Sequence, residues 1–142
     1  MEHKAVREDV GLIDMSAFAK IRVQGAEAEI VLNWICSANV AVDPGRTVYT
    51  QWLNERGGIE SDLTVTRLAE NDYLIVTAAG SQVRDQHWLR AHTPPKARCI
   101  VTDVTSGYAV LAIMGPRSRE HLQPLTSADL SNKGFSQKMV IN

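Results

Sequence analysis

The chain has 142 residues, long enough to bury one core of ordinary size. Its 15 Lys plus Arg stand against 16 Asp plus Glu, for a net charge of -1, and no block of like charge breaks the pattern. That balance argues against a nucleic-acid or anionic-membrane surface as the main partner, since both call for a basic patch. With 44% hydrophobic and 22% charged residues, the composition is that of a globular protein rather than a disordered one.

In chain order, residues 6–15 (VREDVGLIDM) place Val6, Val10 and Ile13 at helical spacing and predict a short helix broken near Gly11. Residues 19–24 (AKIRVQ) alternate Ile21 and Val23 with Lys20 and Arg22, the pattern of a half-buried strand ended by Gly25. Residues 26–38 set Ala28, Val31, Leu32 and Ile35 on one helical stripe, with Glu27 and Glu29 in the first turn, where the helix dipole favours negative charge.

A Pro-Gly turn at Pro44 and Gly45 then leads into residues 47–67 (TVYTQWLNERGGIESDLTVTR). These read as a β-hairpin, with two β-rich runs around the loop at Asn54, Glu55, Arg56, Gly57 and Gly58. With a four-residue loop from Asn54 to Gly57, Tyr49 and Asp62 fall directly opposite one another on one sheet face. Ile59, Leu63 and Val65 take the other, apolar face. Residues 73–76 continue as a third antiparallel strand. Ser81 is expected to cap a helix over residues 82–92, with Val83, His87, Trp88 and Leu89 as its apolar side and Pro94-Pro95 as its stop. Residues 98–105 and 108–114 predict two more strands, and Pro116 is expected at the first position of a helix over residues 117–122. A further strand is expected to begin at Met139, Val140 and Ile141. The order predicts an α+β fold, an antiparallel sheet with helices packed on one face in a ferredoxin-like arrangement.

Several chemistries lack their motifs. There is no G-x-S-x-G nucleophile elbow, no phosphate loop and no G-x-G-x-x-G after a strand. Cys36 and Cys99 form no C-x-x-C pair, and His3, His87, His92 and His121 form no metal-binding spacing, so no metal is expected. Trp34, Trp52 and Trp88 are expected in core or interface packing, Asp103 in a turn, and Arg117 and Arg119 in solvent. The apolar runs are far short of the roughly 20 residues that cross a bilayer, and the N-terminus has no apolar signal region, which predicts a cytoplasmic or organelle-matrix setting. What remains is Asp62, a carboxylate beside the Tyr49 ring, suited to bind ring N-H groups and to acid-base work. An ordinary polar sheet face is the competing reading of the same residues.

Residues 6–25, 49–62 (YTQWLNERGGIESD) and 108–119 (YAVLAIMGPRSR) together resemble the aminomethyltransferase family. That family comprises the T-protein of the glycine cleavage system and the folate-binding C-terminal regions of sarcosine and dimethylglycine dehydrogenases. The resemblance implies that Tyr49 and Asp62 line a tetrahydrofolate pocket, with Asp62 assisting as folate captures a one-carbon unit, and that Thr64 and Thr66 neighbour the ligand. Ala78, where T-proteins usually carry Asn, and Ser61-Asp62 in place of paired aspartates are closer to the sarcosine and dimethylglycine dehydrogenase branch. Family members extend well past residue 142, so residues 1–142 correspond to the N-terminal portion of the folate-binding module. The implied partners are folate, the C-terminal half of the module and a flavin domain that would carry FAD, with self-association also open. A purely structural or assembly role, a T-protein activity and the iron-sulfur-maintenance branch of the superfamily stand as alternatives.

Overall fold

The computed structural model describes residues 1–135 and Val140. The elements run α1 (Glu2–Glu8), β1 (Gly11–Asp14), β2 (Ala19–Gln24), α2 (Ala28–Ile35), β3 (Arg46–Leu53), β4 (Ile59–Ala69), β5 (Asp72–Thr77), α3 (Gln82–His92), β6 (Ile100–Asp103), β7 (Leu111–Met114) and α4 (Ser118–Leu122). Five strands form one sheet in the order β3-β4-β5-β2-β6, every neighbouring pair antiparallel. Without β3, the remaining β-α-β-β-α-β unit has the ferredoxin-like order, as the pattern of elements predicts. β3 is an added edge strand that carries half of the expected hairpin.

One face of this sheet is apolar and is covered by α2 and α3. Ile21, Val23, Leu63, Val65, Tyr73 and Ile75 come from the strands, Ala28, Val31, Leu32 and Ile35 from the predicted stripe of α2, and Leu89 from α3. Trp52 is fully buried among them, and its indole N-H donates to Cys36 Sγ at 3.3 Å. The opposite face carries the alternate residues of the same strands, which leaves its outer part polar.

Several local expectations change in the tertiary structure. The helix expected over residues 6–15 is instead two elements. α1 lies earlier, and Gly11–Asp14 is a strand paired with β7, Leu12 against Ile113 and Ile13 against Ala112. A helical stripe and a short strand look alike over so few residues, and here a partner about 100 positions away decides. β7 therefore belongs to a separate two-stranded sheet, while β6 joins the main one. On β2, Lys20 is only 1% exposed, because the preceding segment folds over it and the Ser16 carbonyl accepts a hydrogen bond from its Nζ at 2.8 Å.

Ser81 makes no side-chain cap. It closes a 3-10 turn, Ala79–Ser81, and its hydroxyl accepts from Arg84. The buried side of α3 is Asp85 with Leu89, while Val83 is 83% exposed. Pro116 sits two residues ahead of α4 rather than at its first position. Of the strand expected at the C-terminus, Met139 and Ile141 lie outside the described residues, and the Val140 N-H donates to the Gly45 carbonyl at 2.8 Å.

Candidate functional site

The hairpin forms, and its register differs from the simplest expectation. Tyr49 pairs with Thr64 and Gln51 with Asp62, so Tyr49 and Asp62 are diagonal neighbours, not directly opposed. The loop spans five residues rather than four. Asn54 organises it: its N-H donates to the Gly58 carbonyl, and its Oδ1 accepts from the N-H groups of Arg56 and Gly58. Gly57 supplies the positive φ of +77° that such a turn requires. A five-residue loop by itself would put Tyr49 and Asp62 on opposite faces. A bulge restores the parity: Leu53 pairs with Ile59 and Trp52 with Ser61, so Glu60 is an extra residue. The expected face survives, shifted by one pair. Ile59, on the loop side of the bulge, is 67% exposed instead of packing on the apolar face with Leu63 and Val65.

On that shared face the Tyr49 hydroxyl donates to Asp62 Oδ2 at 2.6 Å, and Gln51 Nε2 donates to Oδ1 at 2.9 Å. These two donors, Tyr49 first, hold the Asp62 carboxyl below its ordinary range, against a smaller opposing effect of burial. The Tyr49 phenol is raised in turn, chiefly by its hydrogen bond to Asp62. Each carboxylate oxygen thus receives one donor from the chain and retains a lone pair toward solvent. Asp62 is exposed, and the Tyr49 ring is 57% exposed. Gln51 belongs to the site as directly as Tyr49. Its signal in the sequence is its place two residues further along the same strand face.

The remaining predicted residues divide. Thr64 is half-buried between Tyr49 on β3 and Val76 on β5. Thr66 is buried, and its hydroxyl lies 2.9 Å from that of Thr47. A groove of about 610 Å³ runs along the outer edge of β3, lined by Asp43, Arg46, Thr47 and Tyr49 among others. A second concavity, about 640 Å³, lies at the hairpin tip between Trp34, Leu53, Trp88 and His92, and includes none of the predicted site residues. There Trp88 stacks on His92 with ring centroids 4.2 Å apart, and Trp34 is 80% exposed, unlike the packed Trp52. Asp103 is the turn residue expected, accepting from the Thr105 N-H at 2.9 Å. Arg117 bridges Asp9 and Glu120. Among the described residues no cluster of three His, Cys, Asp or Glu side chains could hold a metal ion, and no helix is long and apolar enough to cross a membrane.

Comparison with known proteins gives three kinds of match. The family model described as the GCVT N-terminal domain matches residues 1–140. Human mitochondrial sarcosine dehydrogenase is 39% identical over 145 residues, covering 92% of this chain and 16% of that protein. An aminomethyltransferase of Acidobacterium capsulatum is 38% identical, covering 92% of this chain and 34% of that protein. The 4-methylaminobutanoate oxidase (formaldehyde-forming) of Paenarthrobacter nicotinovorans is 39% identical and again matched over 16% of its length. Among solved structures, the glycine cleavage system aminomethyltransferase T of Bartonella henselae superposes with a TM-score of 0.84 at 29% identity, covering 97% of this chain and 37% of that one. The heterotetrameric sarcosine oxidase of Corynebacterium sp. U-96 shares the fold, with a TM-score of 0.69 at 16% identity. The chain thus spans between about a sixth and about a third of the length of these curated relatives.

Proposed function

Because this chain belongs to the family of the GCVT N-terminal domain, we propose that its polar sheet face forms one wall of a tetrahydrofolate site in a larger one-carbon-transfer protein of the sarcosine or dimethylglycine dehydrogenase type. The carrying observation is the hydrogen-bonded group of Tyr49, Asp62 and Gln51, with the Asp62 carboxylate open to solvent. A reduced pterin suits this donor set, since its ring N-H groups need acceptors and Asp62 has unused acceptor capacity on both oxygens. When bound, tetrahydrofolate would contribute the nucleophilic ring nitrogen for one-carbon transfer. Asp62 orients the ligand by accepting an N-H bond, and its charge favours a cationic one-carbon donor nearby. Tyr49 and Gln51 hold both carboxylate oxygens in place, and the Tyr49 ring supplies a flat contact. With two donors and full exposure, Asp62 is a weak base. Proton relay through it requires burial by further protein to raise its pKa, and residues beyond this chain would supply that cover. The folate, the remainder of the module and a separate FAD-bearing domain are accordingly the partners proposed for the whole protein.

The test is anaerobic calorimetric titration of tetrahydrofolate into this chain and into its Asp62→Asn variant. Saturable binding that weakens in the variant supports the reading. Equal binding by both removes Asp62 from the site, and no binding by either folded protein removes this chain as a self-sufficient wall. A second reading, assembly without catalysis, is favoured by one feature: Ile30 and Trp34, one turn apart on α2, are 69% and 80% exposed. Sedimentation of wild type against Trp34→Ala tests it, a dimer lost in the variant being the expected result.

A further inference from the structure

We propose that Asp85, on the helix side of the sheet, is the positioning residue that aims Asp62, an assignment that rests on the site reading above. Asp62 stands where the ladder thins. The β4–β5 pairing reaches only Thr64 against Val76, and on the β3 side the bulge at Glu60 follows directly after the Trp52–Ser61 pair. Backbone hydrogen bonds to β5 therefore do not hold residues 61 and 62.

A side-chain network does so instead. Ser61 Oγ donates to Asp85 Oδ2 at 2.7 Å, and Thr77 Oγ1 donates to the same oxygen at 2.5 Å. The two hydroxyls are 3.3 Å apart, and Arg84 Nε reaches Oδ1 at 3.2 Å. Ser61, Thr77 and Asp85 are 4%, 2% and 1% exposed. One carboxylate thus joins β4, β5 and α3 at the point where the two strands are no longer laddered together.

Alternation of side chains carries this to the site. Ser61 points toward the helices and Asp62 toward the open face, so anchoring the Ser61 side chain fixes the backbone that sets the Asp62 Cα–Cβ direction. A buried carboxylate is costly unless it is hydrogen-bonded, and the hydroxyls of Ser61 and Thr77 satisfy one of its oxygens. The arrangement is specific in its donors: each hydroxyl gives its single proton to Asp85. An apolar residue at position 85 therefore leaves them only each other, 3.3 Å apart, and frees Ser61 from α3, whereas an amide keeps one acceptor oxygen.

The experiment reads the Tyr49 phenol in the full chain, by NMR of ring-labelled tyrosine through an alkaline titration, in wild type, Asp85→Asn and Asp85→Leu. Tyr49 reports on Asp62 because the two are bonded; the other charged groups of its groove are Asp43 and Arg46, and Arg84 is the cation at Asp85. The expected result is a Tyr49 midpoint that falls toward the free value of about 10 in Asp85→Leu and is largely retained in Asp85→Asn. A Tyr49 midpoint unchanged in a folded Asp85→Leu protein overturns the proposal. Loss of stability alone would not move that midpoint, which separates positioning from mere support. If Asp85→Leu does not fold, the Ser61→Ala, Thr77→Val double variant removes the same donors, and the same two outcomes apply. Tetrahydrofolate titration of wild type and Asp62→Asn runs beside it: equal binding by both removes Asp62 from the folate site, while the Tyr49 readout still decides the role of Asp85.

Discussion

The two-faced character of β4 supports the whole site, and adjacent substitutions test it. Leu63 is 2% exposed on the helix side, while Thr64, the next residue, is half-buried on the site side. Truncating Leu63 to Ala removes three buried carbons, worth about 2.4 kcal/mol at roughly 0.8 kcal/mol for each. The cavity left in a sheet that cannot collapse raises the total to about 3–4 kcal/mol. Thr64→Val keeps the β-branch and alters only a partly solvated hydroxyl, so it is expected to stay within about 0.5 kcal/mol. Urea unfolding followed by tryptophan fluorescence reads both. With a slope of about 2 kcal/mol per molar, Leu63→Ala moves the midpoint down by about 1.5–2 M, and Thr64→Val barely moves it. Equal losses from the two variants would refute the face assignment, and with it the placement of Asp62 and Tyr49 on an open surface.

Gly25 adopts φ of +138°, and a Cβ there would lie 2.1 Å from the Arg98 carbonyl oxygen, so Gly25→Ala is expected to lose at least about 2 kcal/mol or fail to fold. Gly80→Ala, with open space around it, is expected to be near neutral in the same denaturation assay. The Asp62 carboxyl is lowered in the folded chain, so its contribution is present above its unfolded pKa of about 3.9 and is lost as the pH falls through the folded value. Tyr49 is raised, so its contribution is present below about 10 and is lost as the pH rises through its folded value. The difference in stability between wild type and Tyr49→Phe is therefore expected to be level between about pH 5 and 9 and to shrink at both ends, and a slope across neutral pH would contradict it. Burial raises the Cys36 thiol to about 11, so at pH 8 it is expected to react with a disulfide reagent far more slowly in the native chain than in urea. Equal rates would show that the Trp52–Cys36 contact does not persist in solution.

What was legible in the sequence was local and periodic. The stripe Ala28, Val31, Leu32 and Ile35 needs only helical spacing to specify its buried face, and all of it is buried. The alternation through Asp62, Leu63, Thr64 and Val65 likewise sorts the two faces of β4 without reference to any partner. The shared face of Tyr49 and Asp62, by contrast, is expected only for an even loop count, and the five-residue loop meets that condition because the bulge at Glu60 adds one residue.

Tertiary structure decided whatever depends on distant partners. Gly11–Asp14 is a strand because β7 comes to lie beside it, and nothing within those few residues carries that information. The bulge at Glu60 fixed which residue faces Asp62, and so brought Gln51 into the site. Asp85 and Lys20 carry charges that composition assigns to the surface. Each is buried because donors or acceptors far away in sequence, or a segment folded over it, satisfy its polar atoms. Trp34 shows the converse: a large indole that favours burial stays exposed, since the inner face of α2 is already filled by the four smaller side chains of its stripe. Periodicity determines which face a side chain takes, and only the packed chain determines whether that face is covered.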